Sequence, residues 1–173
     1  FAGESYTLCP LTTDKKTLVN LMGTIKDGMM DEDGTAIGMG LANAVNRLKD
    51  SQAKSKVIIL LTDGTNNRGE IDPMTASELA KAYGIRVYTI GVGTKGEAPY
   101  PVQTIFGIQK QMVPVEIDEE TLEAIAEKTG GHYFRATNNN SLKAIYNDID
   151  KMEKTKIKVT EHTSKNEEYL PYA

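Results

Sequence analysis

The sequence predicts an α/β fold: a doubly wound, mainly parallel sheet with helices on both faces. The first observation behind this prediction is the uninterrupted apolar run from Val57 to Leu61, which is typical of a strand that helices cover on both faces. The second is the alternation of such runs with segments of helical spacing, joined by short connections, which favours parallel neighbours. We therefore expect the Lys56–Leu61 stretch to be a central strand of the sheet.

The other elements can be placed in order along the chain. Residues 5–11 are expected to form an edge strand, because Pro10 has no N–H to donate to a second neighbour. Asp14 begins a first helix that ends at Gly23. Each predicted helix has apolar residues at helical spacing. In the first two helices they are Leu18, Val19, Leu21 and Met22, and then Ile37, Leu41, Ala44, Val45 and Leu48. In the other three they are Ala76, Leu79, Ala80 and Tyr83, then Leu122, Ile125 and Ala126, and finally Leu142, Ile145, Tyr146, Ile149 and Met152. Residues 85–92 and 132–136 are the remaining strands of the sheet.

Two segments lie outside this alternation. Residues 95–116 contain two short β-prone runs on either side of Gly107 and predict a hairpin, inserted at about 95–117 after the third helix and its strand. Residues 155–173 begin with the strand-like alternation Lys-Ile-Lys-Val-Thr and predict an added strand or a linker. We therefore expect one domain over residues 1–154, followed by a C-terminal strand or linker over residues 155–173.

Composition and motifs narrow the classes of function. Among 173 residues, 39% are hydrophobic and 25% are charged, as in an ordinary globular domain. The net charge of −4 disfavours a surface that binds nucleic acid. The run from Gly91 to Thr94 lacks the spacing of a phosphate-binding loop, and neither the single cysteine nor the two histidines lie in a catalytic or zinc-binding pattern. We expect no nucleic acid, no nucleotide and no catalysis.

Two polar stretches mark a candidate site. Asp63 follows the apolar run in the sequence Thr-Asp-Gly, at the carboxyl end of a strand, where ligands bind in open α/β sheets. Thr35 belongs to a Gly-Thr sequence that leads directly into the second helix. Each has a simpler interpretation, since Asp-Gly is ordinary turn chemistry and Thr35 or Asp33 can cap the helix.

Together these motifs resemble the von Willebrand factor type A domain, a Rossmann-like fold in which a threonine of a Gly-Thr loop and an aspartate of a Thr-Asp-Gly strand end help to hold a divalent cation. The resemblance implies that Thr35 and Asp63 are metal ligands and that the intact domain binds Mg²⁺. Residues 1–6 and 98–104 are more narrowly similar to the bacterial Bat (aerotolerance) proteins of the BatA type. That similarity implies a protein-binding module in an inner-membrane complex, with the domain in the periplasm and other Bat proteins among its partners.

One departure from the family pattern changes the expectation for this chain. The resemblance implies a third contribution to the cation site, an Asp-x-Ser-x-Ser sequence after the first strand, and no such sequence occurs here. Phe1–Gly3 is similar to the end of the family's second strand, so the chain is interpreted as a fragment without the first strand and helix. We therefore expect this fragment to bind Mg²⁺ weakly or not at all, to leave a strand edge exposed, and to reach the membrane only through segments it does not contain.

The partner surface is expected on the hairpin, which rises on the same rim of the sheet as the candidate cation site. Tyr100 and Phe106 are the predicted anchors, because exposed aromatic residues near a site are typical of interface hot spots. A hairpin that only packs its own apolar residues is the alternative. For the whole chain, the alternatives to a metal-dependent binding module are a metal-independent structural interaction domain and a metal-assisted hydrolase.

Overall fold

A computed structural model of the protein describes residues 1–26, 29–30, 33–93, 97–104, 107–114 and 117–168. The five helices in this part of the chain are α1 Lys15–Met22, α2 Ile37–Leu48, α3 Pro73–Ala82, α4 Glu119–Thr129 and α5 Asn139–Glu168. The five strands are β1 Lys56–Thr62, β2 Ile85–Val92, β3 Glu97–Thr104, β4 Gly107–Pro114 and β5 Tyr133–Ala136.

The main sheet has three described strands in the order β1-β2-β5, and both pairings are parallel. This order confirms the predicted α/β class but makes β2, and not β1, the central strand. The prediction of a central position for residues 56–61 is therefore wrong within the described sheet. A continuous apolar run indicates that both faces of a strand are covered. It does not indicate whether both edges of that strand are paired with other strands.

Helices cover both faces of the sheet, as predicted. One face packs against α2, α3 and α4, and the other packs against α5. The cluster on the first face contains Ile37, Leu41, Val45, Ile58, Leu60, Ala76, Ala80, Ile85, Val87, Leu122 and Ile125. The cluster on the second face contains Tyr88, Ile90, Ala136, Ile145 and Ile149. The alternation of side chains along β1 and β2 divides their apolar residues between these two cores.

The N-terminal segment does not form the strand that was expected over residues 5–11. It has no regular secondary structure and lies against α2. The Ser5 hydroxyl donates to the Met39 carbonyl oxygen over 3.2 Å, and Arg47 Nε donates to Thr7 Oγ1 over 3.0 Å. Because these bonds run from side chains to the helix, the segment is held on α2 and makes no ladder with β1.

The hairpin is present at the expected place. β3 and β4 pair antiparallel from Glu97↔Pro114 to Thr104↔Gly107 and form a separate two-stranded sheet. It is inserted between the end of β2 and the start of α4.

A strand or linker was expected over residues 155–173, but α5 continues to Glu168. The helix is anchored by Ile145 and Ile149, which are buried against β2 and β5. Adding a residue to a helix that has already formed costs little, so a brief alternation of Lys and Ile does not end it. Residues 169–173 lie outside the described part of the chain.

Candidate metal centre

The two predicted ligands lie on neighbouring segments at one edge of the sheet. Asp63 directly follows β1, and Thr35 lies two residues before α2. A Cβ atom placed on Gly64 would lie 2.9 Å from Thr35 Oγ1, so the Thr35 hydroxyl packs directly on the turn that carries Asp63. The structure therefore brings together residues that are 28 positions apart (63 − 35) in the sequence.

This close approach favours glycine at position 64. Any side chain there would press on the threonine hydroxyl. Thr62, which is only 6% exposed, holds the turn from below, because its Oγ1 accepts from Gly64 N over 3.3 Å. Turn conformation is one reason for a glycine after Asp63. The close approach of Thr35 Oγ1 is a second reason for glycine at this position.

Two asparagines in the β1–α3 connection form a clamp that the sequence analysis missed. Asn67 Oδ1 accepts from Thr35 N over 2.8 Å, and Asn66 Oδ1 accepts from Ile37 N over 2.8 Å. The backbone N–H groups of Asn67 and Arg68 in turn donate to the Thr35 carbonyl oxygen over 3.0 and 3.2 Å. Thr35 is thus fixed on both sides of its peptide unit.

The clamp also corrects the expected helix cap. Neither Thr35 nor Asp33 caps α2; the N-cap residue is Ala36, which makes no side-chain bond. Asn66 replaces the missing local cap from a distant part of the sequence, since its side-chain oxygen takes the N–H of Ile37. The Asn66-Asn67 pair after the Thr-Asp-Gly sequence is the feature from which this cap could have been predicted. Because the Thr35 hydroxyl is not used as a cap, it is available to a ligand.

The chemistry of these donors suits a hard cation, but their number is small. A hydroxyl and a carboxylate are oxygen ligands of the kind that Mg²⁺ prefers in its octahedral shell. Asp63 is exposed at the rim and Thr35 is half-buried. Within the described residues, no group of three or more His, Cys, Asp or Glu side chains could hold a metal ion. The site therefore fits part of a magnesium shell and would need further oxygens from water or a partner.

The other two predicted residues are Tyr100 and Phe106. Tyr100 belongs to β3, and Phe106 lies outside the described residues. Since β1 and β2 are parallel, the hairpin leaves β2 at the same edge of the sheet as the turn after β1. Arg135 holds the end of β2 beside the start of α4, because its Nε donates to the Gly93 carbonyl oxygen over 3.0 Å and its guanidinium pairs with Glu119.

A parallel sheet between two helical layers, with Thr35 and Asp63 at its carboxyl edge, is a Rossmann-like α/β fold. The family model of the von Willebrand factor type A domain matches residues 1–148, and the chain belongs to that family. A protein from Borreliella burgdorferi is 30% identical over 161 residues, which cover 92% of this chain and 47% of the relative. The chain spans about half the length of the curated relatives it matches.

Solved structures of related proteins agree with this assignment. An aerotolerance-related membrane protein from Bacteroides fragilis is 28% identical with a TM-score of 0.69, over 87% of this chain and 76% of that one. BatB from Bacteroides thetaiotaomicron is 30% identical with a TM-score of 0.68, over 89% and 77%.

A third structure bears on the metal. Proximal thread matrix protein 1 from the mussel byssus, with a zinc-occupied MIDAS motif, is 26% identical with a TM-score of 0.63, over 88% of this chain and 33% of that one.

No helix in the described part of the present chain is both long and apolar enough to span a membrane.

Proposed function

We propose that the chain is a protein-binding module of metal-ion-dependent adhesion type, with Thr35 and Asp63 as metal ligands. The observation that carries the proposal is the packing of the Thr35 hydroxyl on the Gly64 turn, which places a hydroxyl and a carboxylate at one edge of the sheet. The clamp of Asn66 and Asn67 supports it, because it orders Thr35 before any ligand binds.

The cation proposed for the intact domain is Mg²⁺. When bound, it would supply positive charge at the rim for an acidic side chain of a partner, while Thr35 and Asp63 orient it. Two protein oxygens offset little of the cost of partial dehydration, since Mg²⁺ gives up its waters reluctantly. We therefore expect this chain by itself to bind Mg²⁺ weakly or not at all.

Paramagnetic Mn²⁺ is the sharpest probe of such a weak site, because it broadens nearby amide signals in NMR spectra. We expect Mn²⁺ to broaden the signals of residues around Thr35 and Gly64 first, and excess Mg²⁺ to reverse the effect. Asp63→Asn and Thr35→Val should remove it, whereas Thr35→Ser, which keeps the hydroxyl, should retain it. Asp118→Asn, which removes a carboxylate from the N-cap of α4, is the control and should change nothing at the rim.

Calorimetry with Mg²⁺ tests the number of ligands separately. A dissociation constant in the micromolar range, about −8 kcal/mol, would contradict a site with only two protein oxygens. Broadening that spreads over all acidic residues, and survives Asp63→Asn, would contradict the assignment of the site.

The biological setting is proposed from the relatives. The protein from B. fragilis is described as an aerotolerance-related membrane protein, and this supports a role in a bacterial membrane-associated complex concerned with aerotolerance or stress. We place the domain in the periplasm, anchored to the inner membrane through other segments, and take other Bat proteins as its candidate partners.

A metal-independent interaction domain is the second candidate. Within the described residues no three or more His, Cys, Asp or Glu side chains are grouped so that they could hold a metal ion, which favours this candidate. Removal of the metal with EDTA separates it from metal-dependent binding, since the hairpin anchors Tyr100 and Phe106 would serve either mode. Replacing both by alanine should weaken partner capture by the full-length protein and leave the melting temperature nearly unchanged. If the capture is unchanged by EDTA but lost in this double variant, the metal-independent function is correct.

A further inference from the structure

The hairpin has two outer edges, and they are chemically different. Within the described residues β3 and β4 form a sheet of two strands, so no third strand joins either edge. Unpaired strand edges are templates on which another chain can add a strand. Whether an edge can serve in this way depends on which of its N–H groups point outward.

The register identifies the outward-facing groups. Thr104 pairs with Gly107 across a two-residue connection, and in such a hairpin the closing pair exchanges backbone hydrogen bonds. Hydrogen-bonded and non-hydrogen-bonded pairs then alternate along the ladder. The pairs Pro101↔Lys110 and Pro99↔Met112 fall at the non-hydrogen-bonded positions, where the backbone groups point away from the partner strand. The two prolines agree with this, because they have no N–H to donate inward.

The outer edge of β3 is therefore blocked, and the outer edge of β4 is open. Pro99 and Pro101 remove two donors from the β3 edge, a known device against strand addition. On β4 the corresponding positions are Ile108, Lys110 and Met112, each of which has an N–H and a carbonyl directed away from β3. Only at Pro114, the last residue of the strand, does this edge lose a donor.

We propose that the outer edge of β4, from Ile108 to Met112, binds an extended segment of another protein as an added antiparallel strand with a carboxylate opposite Lys110. The central outward position is a lysine, and β4 contains no acidic residue, so a carboxylate there makes a favourable cross-strand pair. This interaction needs no cation and goes beyond the proposed metal-dependent function.

A second copy of the chain fits this edge less well. The register that pairs all three outward residues of β4 with those of a second β4 places Lys110 opposite Lys110, and like charges directly opposite are destabilising. A register centred on Gln111 avoids this contact but places Ile108 opposite Pro114, which lacks a donor. Charge and proline position together favour an acidic segment of a different protein.

The test uses synthetic peptides and the full chain with EDTA present, so its result is independent of the metal site. The probe is a fluorescent nonapeptide of alternating Thr and Val with Glu at the centre. We expect saturable binding below about 1 mM and antiparallel nuclear Overhauser contacts to β4. Methylation of the three peptide nitrogens that would face β4 should abolish binding, whereas methylation of the nitrogens on the other edge should not.

Two proline variants of the protein form the matched pair. Lys110→Pro removes one outward N–H from β4, and Gln103→Pro removes one from β3 at the same type of ladder position. Neither removes a bond between β3 and β4, and retained amide protection of Val102 would verify the hairpin. We expect Lys110→Pro to weaken binding at least tenfold and Gln103→Pro to leave it unchanged. Equal effects of the two variants would overturn the proposal.

A charge exchange tests the chemistry of the partner. Lys110→Glu should weaken binding of the Glu peptide and strengthen binding of the peptide with a central Lys. Absence of saturable peptide binding would overturn the proposal. So would a concentration-dependent dimer of the unmodified chain that Lys110→Pro dissociates, since that result would assign the edge to a second copy.

Discussion

Helices α1 and α2 have similar sequence patterns, but α2 buries its apolar residues and α1 does not. Both are short, begin near a polar turn and repeat apolar residues at helical spacing. In α2 the residues Ile37 and Leu41 are 0% exposed and Val45 is 3% exposed. In α1 no residue is buried, and Val19 is 67% exposed. An amphipathic pattern therefore predicts a helix and its apolar side, whereas burial depends on whether another surface faces that side.

The same difference separates the two N-terminal caps. Asp14 caps α1 locally, since Oδ1 accepts from Lys16 N over 3.0 Å and from Thr17 N over 3.2 Å. α2 is capped by Asn66, which lies 29 residues away. The α1 cap stabilises one isolated turn of helix, and the α2 cap ties the helix to the connection after β1.

The largest expected difference comes from removing one leucine from each helix. Leu41→Ala leaves a cavity between α2 and the sheet and should lower the free energy of unfolding by about 2–5 kcal/mol. Leu18→Ala removes a side chain that is 40% exposed and should change it by less than about 0.5 kcal/mol. Urea denaturation followed by circular dichroism measures both. Equal losses would show that α1 packs on a surface that the described residues do not include.

Adding a methyl group to a glycine of each region sharpens the comparison. A Cβ atom on Gly38 would lie 1.9 Å from the Ile71 carbonyl oxygen, whereas one on Gly23 would meet its nearest atom at 3.4 Å. Gly38→Ala should destabilise the protein by about 1–3 kcal/mol through overpacking, although alanine favours a helix. Gly23, with φ −67°, tolerates alanine, and Gly23→Ala should stabilise by about 0.4–1 kcal/mol. Thermal melts of the two variants should move in opposite directions.

The two caps should differ in what their loss affects. Asn66→Ala removes the acceptor for Ile37 N, and we expect a global loss of about 1 kcal/mol together with faster amide exchange at residue 37. Asp14→Ala should speed exchange only in the first turn of α1 and leave the global transition in place. If Asp14→Ala shifts the global midpoint as much as Asn66→Ala does, α1 is coupled to the core.

The smallest expected effect is a pH dependence in the layer between α5 and the sheet. Burial by itself raises the pKa of the Glu153 carboxyl, but hydrogen bonds from Tyr88, Arg86 and Ser55 outweigh it and hold the pKa below its usual value. The Tyr88 hydroxyl lies 2.6 Å from Glu153 Oε1, and burial and this carboxylate together raise the pKa of Tyr88 to about 12.

The sign of the effect follows from the lowered pKa. Stability from Glu153 is fully present above the carboxyl's unfolded pKa and is lost as the pH falls through the lower, folded value. We expect Glu153→Gln to reduce stability at neutral pH and to flatten the acid side of the stability profile. Asp150→Asn removes an exposed partner of Lys154 on the same helix and is the control, because such surface pairs contribute little. Identical acid profiles for the two variants would contradict a special role of Glu153.

The sequence by itself determined the start of every helix, the three strands of the main sheet, and the side of each helix that is apolar. It predicted the α/β class, the helices from Asp14 onward, the hairpin around Gly107, and a polar edge with Thr35 and Asp63. These features depend on local rules, namely the period of the apolar residues, caps, and turns at glycine and proline. The structure agrees with each of them, because local conformational preferences and the sheet point to the same arrangement.

Only the tertiary structure decided how the elements meet. It placed β1 at the edge of the described sheet, held residues 5–11 on α2, continued α5 past Thr155, and supplied the α2 cap from Asn66. Each of these depends on a contact between residues far apart in the sequence, and apolar periodicity describes a strand's faces but not the partners along its edges. For the same physical reason the contact between Thr35 and the Gly64 turn became visible only in the folded chain.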